Sequence, residues 1–488
     1  MPSVRNQTGL IAYADRFGGS LAGLRELLLG ELAGAFGAVH VLPFFVPFDG
    51  VDAGFDPEDH TRVDARLGTW EDVAALAGSV EVTADVIVNH ASVRSPAFLD
   101  VVAHGAASPH AGMFLTFDAV FPGGASEGEL LAIYRPRPGL PFTPVTLADG
   151  TRRLLWTTFT PEQADLDVTH PATLAYLDDV LEAMRAAGVS LVRLDAVGYA
   201  VKRAGTSCFM LPGTFSFIQA LTARARAAGL EVLVEVHGSH ALQAQIAPHV
   251  DYVYDFALPP LVLHGLQTGD AAPLAHWLEI RPANAITVLD THDGIGIVDV
   301  AGDPAAGVAP LLDGPARDAL VEAVHASTGG ASRLATGAAA SNLDSYQVNS
   351  TFYDALGRDD AAYELARLIQ LFVPGIPQLY YVGLLAGHND TKLLARTGVG
   401  RDINRHHYTR AEITEALSRP LVQRLLAALR LRNTHPAFAG TCAVTASATT
   451  LTLRWTCGVH HAELAADLAA RTHALDVSDA HRSSDSPG

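Results

Sequence analysis

The chain has 488 residues, 49% of them hydrophobic, which is enough to bury a large core. Its 33 Lys and Arg against 52 Asp and Glu give a formal net charge of -19, which argues against nucleic acid and anionic membrane surfaces as partners. The three cysteines lack the regular spacing of a disulfide framework, and neither a signal-peptide pattern nor a membrane-length apolar run is present, so we expect a cytoplasmic location.

Short apolar segments of strand length alternate with segments of helical spacing along most of the chain. The predicted strands are 9–13, 39–42, 82–88, 190–195, 231–235, 252–255, 285–289 and 376–380. Predicted helices include 21–32, 70–76, 174–187, 214–228 and 361–371. Eight such steps predict an α/β fold, a (β/α)8 TIM barrel, whose strand C-termini carry the chemistry.

Two segments interrupt this alternation. Residues 89–169 are rich in Pro, Gly and aromatic residues and predict an inserted subdomain B after the third strand, and residues 295–356 predict a second, loop-rich insertion after the seventh. The catalytic barrel then comprises 1–88, 170–294 and 357–437. Residues 442–455 alternate apolar and polar side chains, which predicts a small antiparallel C-terminal β domain at 438–488, with a polar, frayed tail from His473 onward.

Three carboxylates follow three predicted strands. Asp195 has Arg193 on the same strand face, and a nearby cation favours an ionised carboxylate, as a nucleophile requires. Glu235 follows an apolar strand, where burial and the charge on Asp195 are expected to keep it protonated as a general acid. Asp293 is suited to stabilising a positively charged transition state. Each carboxylate alone is equally typical of an ion pair or a helix cap, but the three together favour glycoside cleavage with retention.

Several motifs resemble those of a known enzyme family. The segments DVIVNH at 85–90, RLDAV at 193–197, EVH at 235–237 and THD at 291–293 resemble the four signature regions of the α-amylase-like glycoside hydrolases. The segments ADR at 14–16, HVLPFF at 40–45, DAGFD at 52–56, YRPRPG at 134–139, YDFALPP at 254–260 and GRDINRH at 400–406 resemble the sucrose phosphorylase subgroup. This resemblance runs from about residue 9 to about residue 438.

The resemblance implies a retaining phosphorylase that converts sucrose and phosphate reversibly into α-D-glucose 1-phosphate and D-fructose through a covalent β-glucosyl enzyme. It implies Asp195 as nucleophile, Glu235 as acid and base, and Asp293 as transition-state stabiliser. The implied substrate contacts are Asp52, Phe55, His90, Phe159, Gln163, Arg193, His292, Asp344, Gln347 and Arg401. The implied phosphate contacts are Arg137, His237 and Tyr346, a local cationic site that a net acidic protein needs.

The resemblance also bears on cofactors and partners. Some amylase relatives bind calcium near the position of Asn89, but no Asp cluster completes such a site, so we expect neither a metal nor an organic cofactor. The expected partners are small molecules (sucrose, phosphate, glucose 1-phosphate and fructose), without nucleic acid or membrane, and the resemblance implies a homodimer.

Three alternatives remain open. The first is a related phosphorylase that acts on sucrose 6′-phosphate, glucosylglycerol or glucosylglycerate. GSH at 238–240 and Ser345, which are on the leaving-group side, differ from the residues expected in the family and leave this alternative open. Asp344 argues for unphosphorylated fructose, because an acidic residue disfavours a phosphorylated sugar. The second alternative is a sucrose hydrolase or transglucosidase, against which the implied phosphate contacts argue. The third is a non-catalytic, amylase-like binding protein, against which the three carboxylates argue.

Overall fold

Eight parallel strands close into a barrel in the computed structural model, which describes residues 6–137, 139–304, 306–337 and 346–479. The strands are β1 Gly9–Ala12, β2 Ala38–Val41, β3 Glu81–Ile87, β4 Leu191–Asp195, β5 Glu231–Val234, β6 Tyr252–Asp255, β7 Ala285–Thr287 and β8 Ile376–Tyr380. Each pairs with its neighbours in this order, and β8 pairs with β1 to close the barrel. The predicted (β/α)8 barrel is confirmed, with every strand end within two residues of its prediction.

Helices connect the barrel strands. They are Leu21–Leu29, Trp70–Ala77, Pro171–Ala186, Pro212–Ala227, His240–Ile246, Leu258–Thr268, Ala272–Ile280, Asp360–Phe372, Tyr381–Leu384, Thr391–Thr397, Arg410–Ser418 and Pro420–Thr434. Ser20 caps the first helix by accepting from the Gly23 amide, and prolines open several others, since their fixed φ suits the first turn. The predicted helix 21–32 ends earlier, at Leu29, because Gly30 leaves the helical conformation. Among the described residues, no helix is both long and apolar enough to cross a bilayer.

Two long excursions leave the barrel. The first follows β3 and contains the antiparallel strand pairs His90–Ser92 with Gln163–Asp165 and Phe142–Thr146 with Arg152–Trp156, and the helices Pro96–His104, Phe117–Val120 and Glu127–Ala132. It buries two apolar clusters of its own. The second follows β7 and contains the strand pair Ile295–Gly296 with Gln347–Val348 and the helices Gly314–Ser327, Ala331–Thr336 and Phe352–Ala355. Both excursions leave from strand C-termini and so lie beside the expected site.

The C-terminal segment is a four-stranded antiparallel sheet. Its strands are β9 Thr441–Ala446, β10 Thr450–Cys457, β11 His460–Asp467 and β12 Thr472–Val477, paired in chain order. The prediction of a frayed tail from His473 onward is wrong up to Val477, because those residues pair in register with β11. Nearly every side chain of β12 is exposed, so its composition looks like that of a tail although its backbone is hydrogen-bonded.

Candidate active site

A pocket lies at the C-terminal ends of the barrel strands. Asp195 is the last residue of β4, Glu235 directly follows β5, and Asp293 lies beyond β7. The predicted site residues that line the pocket are Asp52, Phe55, His90, Arg137, Phe159, Asp195, Glu235, His237, His292, Asp293, Tyr346 and Arg401. The segments that follow six of the eight barrel strands (β2, β3, β4, β5, β7 and β8) therefore contribute residues to one cavity.

Four predicted residues lie elsewhere. Gln163 is buried behind the wall, where its amide donates to the Phe55 carbonyl oxygen at 3.0 Å. Arg193 is buried beneath the floor of the pocket. Gln347 lines an adjoining cavity that shares Asp52, Arg137, Tyr346 and Arg401 with the pocket. Asp344 lies outside the described residues.

Arg193 is shared by the carboxylates around it. Its Nη1 donates to Asp195 Oδ1 at 2.8 Å and to Asp85 Oδ1 at 2.6 Å, and its Nη2 lies 3.9 Å from Glu235 Oε2. Asp85 is directly opposite Arg193 on neighbouring strands and also contacts His40 Nε2 at 3.0 Å. One guanidinium therefore compensates two carboxylates, Asp195 and Asp85, and the side chain of Asp85 is fully buried.

Burial outweighs the expected effect of Arg193 on Asp195. It raises the pKa of Asp195 well above its ordinary range, and although Arg193 acts in the opposite direction, the charges of Glu235 and Asp85 raise the pKa further. The expected lowering of this pKa by Arg193 is therefore outweighed, first by burial and then by the neighbouring carboxylates.

The backbone after Asp195 positions Glu235. The Ala196 amide donates to Glu235 Oε2 at 3.1 Å. Ala196 is in the left-handed region, with φ 53 and ψ 21, a conformation that costs an alanine about 1–3 kcal/mol. The strained turn therefore links the two candidate catalytic carboxyls directly.

Two arginines and an imidazole surround Asp293. Its Oδ1 lies 2.8 Å from Arg401 Nη1, 3.6 Å from His292 Nε2 and 3.7 Å from Arg405 Nη2. Burial alone would raise the pKa of Asp293, but the charges of Arg401 and Arg405 hold it well below its usual range. Asp293 is therefore ionised across the working pH range and can stabilise a cationic transition state.

Aromatic rings form the wall opposite the carboxylates. Phe55 and His292 stack face to face with centroids 4.7 Å apart, and Phe159 meets His90 edge-on at 5.4 Å. Burial lowers the pKa of His292 to about 3 and also lowers the pKa of His90, whose Nε2 lies 2.8 Å from the Phe55 carbonyl oxygen. Neutral imidazoles beside apolar rings suit the hydroxyls and carbon faces of a sugar.

Two basic side chains, Arg137 and His237, line the pocket together with the carboxylates. Arg137 Nη2 lies 3.7 Å from Asp52 Oδ2, and Arg137 keeps 34% of its side chain exposed. His237 Nδ1 contacts Asp299 Oδ2 at 2.7 Å, and its Nε2 lies 3.7 Å from Glu235 Oε1. Burial alone would lower the pKa of His237, but the nearby carboxylates, Asp299 first, raise it. An anion beside Glu235 would therefore meet positive charge.

The carboxylates raise the question of metal binding. Within the described residues, the group Glu235, His237 and Asp293 brings one ligand atom of each within 4.8 Å of the others. Arg401 and Asp299 already engage two of them, and the absence of a metal stays a prediction.

The space beside Asn89 holds a cation of the protein itself. The ammonium of Lys202 pairs with Asp165, lies 2.7 Å from Asn89 Oδ1 and donates to the Tyr199 carbonyl oxygen at 2.5 Å. The side chain is 1% exposed. This cluster joins the first excursion to the turn that follows β4.

Sequence reasoning missed four groups: Asp85, Lys202, Asp299 and Arg405. Asp85 had a usable signal, because a charged residue inside the apolar run 82–88 needs a buried partner on a neighbouring strand. Arg405 lies within the segment 400–406 that carried the resemblance. Lys202 and Asp299 follow strands in irregular segments and had no periodic signal.

Comparisons with known proteins agree with this geometry. No family model matches the chain. The chain is 58% identical over 463 residues to sucrose phosphorylase of Agrobacterium vitis, covering 94% of this chain and 95% of that protein. It is 53% identical over 447 residues to sucrose phosphorylase of Bifidobacterium adolescentis, covering 91% and 88%. The crystal structure of sucrose 6F-phosphate phosphorylase from Thermoanaerobacter thermosaccharolyticum matches with a TM-score of 0.90 at 35% identity, covering 97% and 96%.

Proposed function

Because the chain belongs to the sucrose phosphorylase family, we propose that it converts sucrose and phosphate reversibly into α-D-glucose 1-phosphate and D-fructose. The enzyme is a retaining phosphorylase of the glycosyltransferase type, and transglucosylation to other acceptors uses the same intermediate. The observation that carries the proposal is the single pocket in which Asp195 and Glu235 adjoin two cationic groups, Arg137 and His237.

We propose the following chemistry for glucosyl transfer. Asp195 attacks the anomeric carbon of the glucosyl unit while Glu235 gives its proton to the departing fructose oxygen, which leaves a neutral β-glucosyl ester and an anionic Glu235. The attack requires that Asp195 is anionic and Glu235 protonated in the sucrose complex. Asp293, ionised beside Arg401, stabilises the positive charge that develops on the sugar ring.

The acceptor step returns the glucosyl unit to phosphate. Glu235 takes a proton from phosphate, whose oxygen attacks the anomeric carbon from the face that fructose left. The ester bond between the anomeric carbon and Asp195 breaks, Asp195 leaves as a carboxylate, and the α configuration is restored. Arg137 and His237 offset the repulsion between phosphate and the carboxylates, and the Tyr346 hydroxyl is the third proposed donor. Asp52, Phe55, His90, Phe159, Gln163, Arg193, His292 and Arg401 are proposed to hold the glucosyl unit, and Gln347 and Asp344 to hold the fructosyl side.

The proposed domains follow from these roles. Insertion 89–169 would supply Arg137 and Phe159, and insertion 295–356 would supply Tyr346, to a barrel built from 1–88, 170–294 and 357–437, with 438–488 as a separate β domain. Limited proteolysis with mass spectrometry tests these boundaries. A homodimer and a cytoplasmic location are also proposed, the second supported by three unpaired cysteines. Light scattering and cell fractionation test them.

The first experiment incubates the enzyme with sucrose in the presence and absence of phosphate and measures glucose 1-phosphate and free glucose. Phosphate-dependent α-glucose 1-phosphate with release of fructose supports the proposal. Free glucose at the same rate in both reactions makes the enzyme a sucrose hydrolase. If neither forms, parallel reactions with sucrose 6′-phosphate, glucosylglycerol and glucosylglycerate identify the leaving group, since the glucosyl side of the pocket is common to these reactions.

A further inference from the structure

Asp299 is a buried carboxylate that touches the site from behind. It lies in the short helical turn Val298–Val300, and its side chain is fully buried. Its Oδ2 accepts from His237 Nδ1 at 2.7 Å, and its Oδ1 accepts from the Gly238 amide at 3.2 Å. Both oxygens therefore hold the segment that directly follows Glu235.

The local backbone is built to admit this contact. A Cβ at Gly296 would lie 2.0 Å from Asp299 Oδ2 and 3.1 Å from His237 Nδ1, so a side chain there would displace the Asp299 carboxylate. The residue that follows Gly296 is hydrogen-bonded to Tyr346: the Ile297 amide donates to the Tyr346 carbonyl oxygen at 3.0 Å. The position of Asp299 is thus tied to that of Tyr346.

The contact decides what His237 presents to the pocket. With Nδ1 engaged by Asp299, Nε2 is the atom that faces Glu235, and it has no hydrogen-bond partner among the described residues. The ring cannot rotate freely, because it stacks on Phe256 with centroids 3.9 Å apart. A buried imidazole held in this way needs a partner at Nε2, and the pocket is where one can bind.

We propose that Asp299 is a positioning residue for phosphate: it orients His237 and compensates its charge, so that a cationic Nε2–H faces the phosphate that approaches the glucosyl enzyme. The inference deepens the proposed function and rests on it. Asp299 itself touches neither sugar nor phosphate and acts through His237. Without its charge, the imidazole would become neutral among buried groups and the pocket would lose one of its cations.

A pH dependence follows from the groups that face His237. Burial lowers the pKa of His237, whereas Asp299 from the second excursion, Glu235 after β5 and Asp293 after β7 raise it, and Tyr346 and Phe256 face it with uncharged rings. As pH rises through that pKa, the imidazolium is lost and the KM for phosphate increases. Removing the charge of Asp299 moves this increase to lower pH. The titration of phosphate itself is common to both proteins and cancels in their ratio.

The test is Asp299→Asn, compared with His237→Gln and the double variant. A carboxylate at this distance shifts a neighbouring pKa by about 1–3 units, so the KM for phosphate should rise about tenfold or more at pH 7.5, with a smaller ratio to wild type at pH 6. Sucrose hydrolysis without phosphate should fall much less. In the His237→Gln background, Asp299→Asn should change the KM for phosphate no further, because the residue acts through the imidazole.

Controls separate this effect from loss of structure. Asp255→Asn removes another fully buried carboxylate, which accepts a hydrogen bond from Arg281 at 2.5 Å and does not contact His237. This variant should have a lower thermal stability and an unchanged KM for phosphate. Asp299→Glu should restore part of the wild-type pH profile. Equal losses of phosphorolysis and hydrolysis in Asp299→Asn, or additive effects in the double variant, would overturn the inference. If wild-type enzyme forms no glucose 1-phosphate, the proposed function itself fails instead.

Discussion

Replacing Arg137 with alanine should weaken phosphate use selectively. A hydrogen bond to a charged group contributes about 1.5–3 kcal/mol, and because Arg137 is 34% exposed we expect the lower end, which is about a tenfold rise in the KM for phosphate. Asp52 stays compensated in this variant, because Arg401 and Arg405 also lower its pKa. The glucosyl side of the pocket should therefore keep its charge balance.

The assay measures initial rates of glucose 1-phosphate and free glucose over a range of phosphate concentrations at constant sucrose. Arg137→Ala should need about ten times more phosphate for half-maximal glucose 1-phosphate formation, and it should release more free glucose at low phosphate. Arg153→Ala is the matched control, since it removes an exposed arginine from the same excursion. If Arg137→Ala lowers hydrolysis and phosphorolysis by the same factor, Arg137 serves the glucosyl step and the reasoning about the anion site is wrong.

Two further substitutions test the buried charges. Asp195→Asn should abolish glucose 1-phosphate formation yet raise the melting temperature at pH 7. A carboxyl whose pKa is raised in the folded protein destabilises the fold once the pH exceeds the ordinary pKa of Asp, and the amide does not ionise. A lower melting temperature at pH 7 would contradict this. Lys202→Met should leave Asp165 buried without its cation, at a cost of about 3–5 kcal/mol. At about 2.1 cal/mol/K per residue, that lowers the melting temperature of this chain by about 3–5 °C in calorimetry, and an unchanged value would contradict it.

The barrel was predictable because its strands are continuous apolar runs that end in polar residues, as at Asp195. The strand β12 was not, because its side chains are exposed and only its backbone pairing distinguishes it from a tail. A sequence pattern reports burial, and hydrogen bonding between exposed strands leaves no trace in it.

The site residues also divide into those that the sequence could predict and those that it could not. Residues at strand ends, such as Asp195 and Glu235, could be named from the sequence because topology alone brings them together. The pKa of Asp195 could not be predicted, since it depends first on burial and then on several charges from other strands. One of them is Asp85, which binds Arg193 although 108 residues separate the two along the chain. Asp299 reaches His237 through a turn in an irregular excursion, and a distance of that kind has no local signature.

The sharing of Arg193 lets both catalytic carboxyls exchange charge beside one cation. In the proposed first step, formation of the ester removes the negative charge of Asp195, and the loss of its proton gives a negative charge to Glu235, whose Oε2 lies 3.9 Å from Arg193 Nη2. The guanidinium therefore faces Asp85 and one charged catalytic carboxylate before and after the step. Phosphate meets the same total charge that sucrose met, so its attraction to the glucosyl enzyme depends on Arg137 and His237 and not on a change in the charge of the carboxylates.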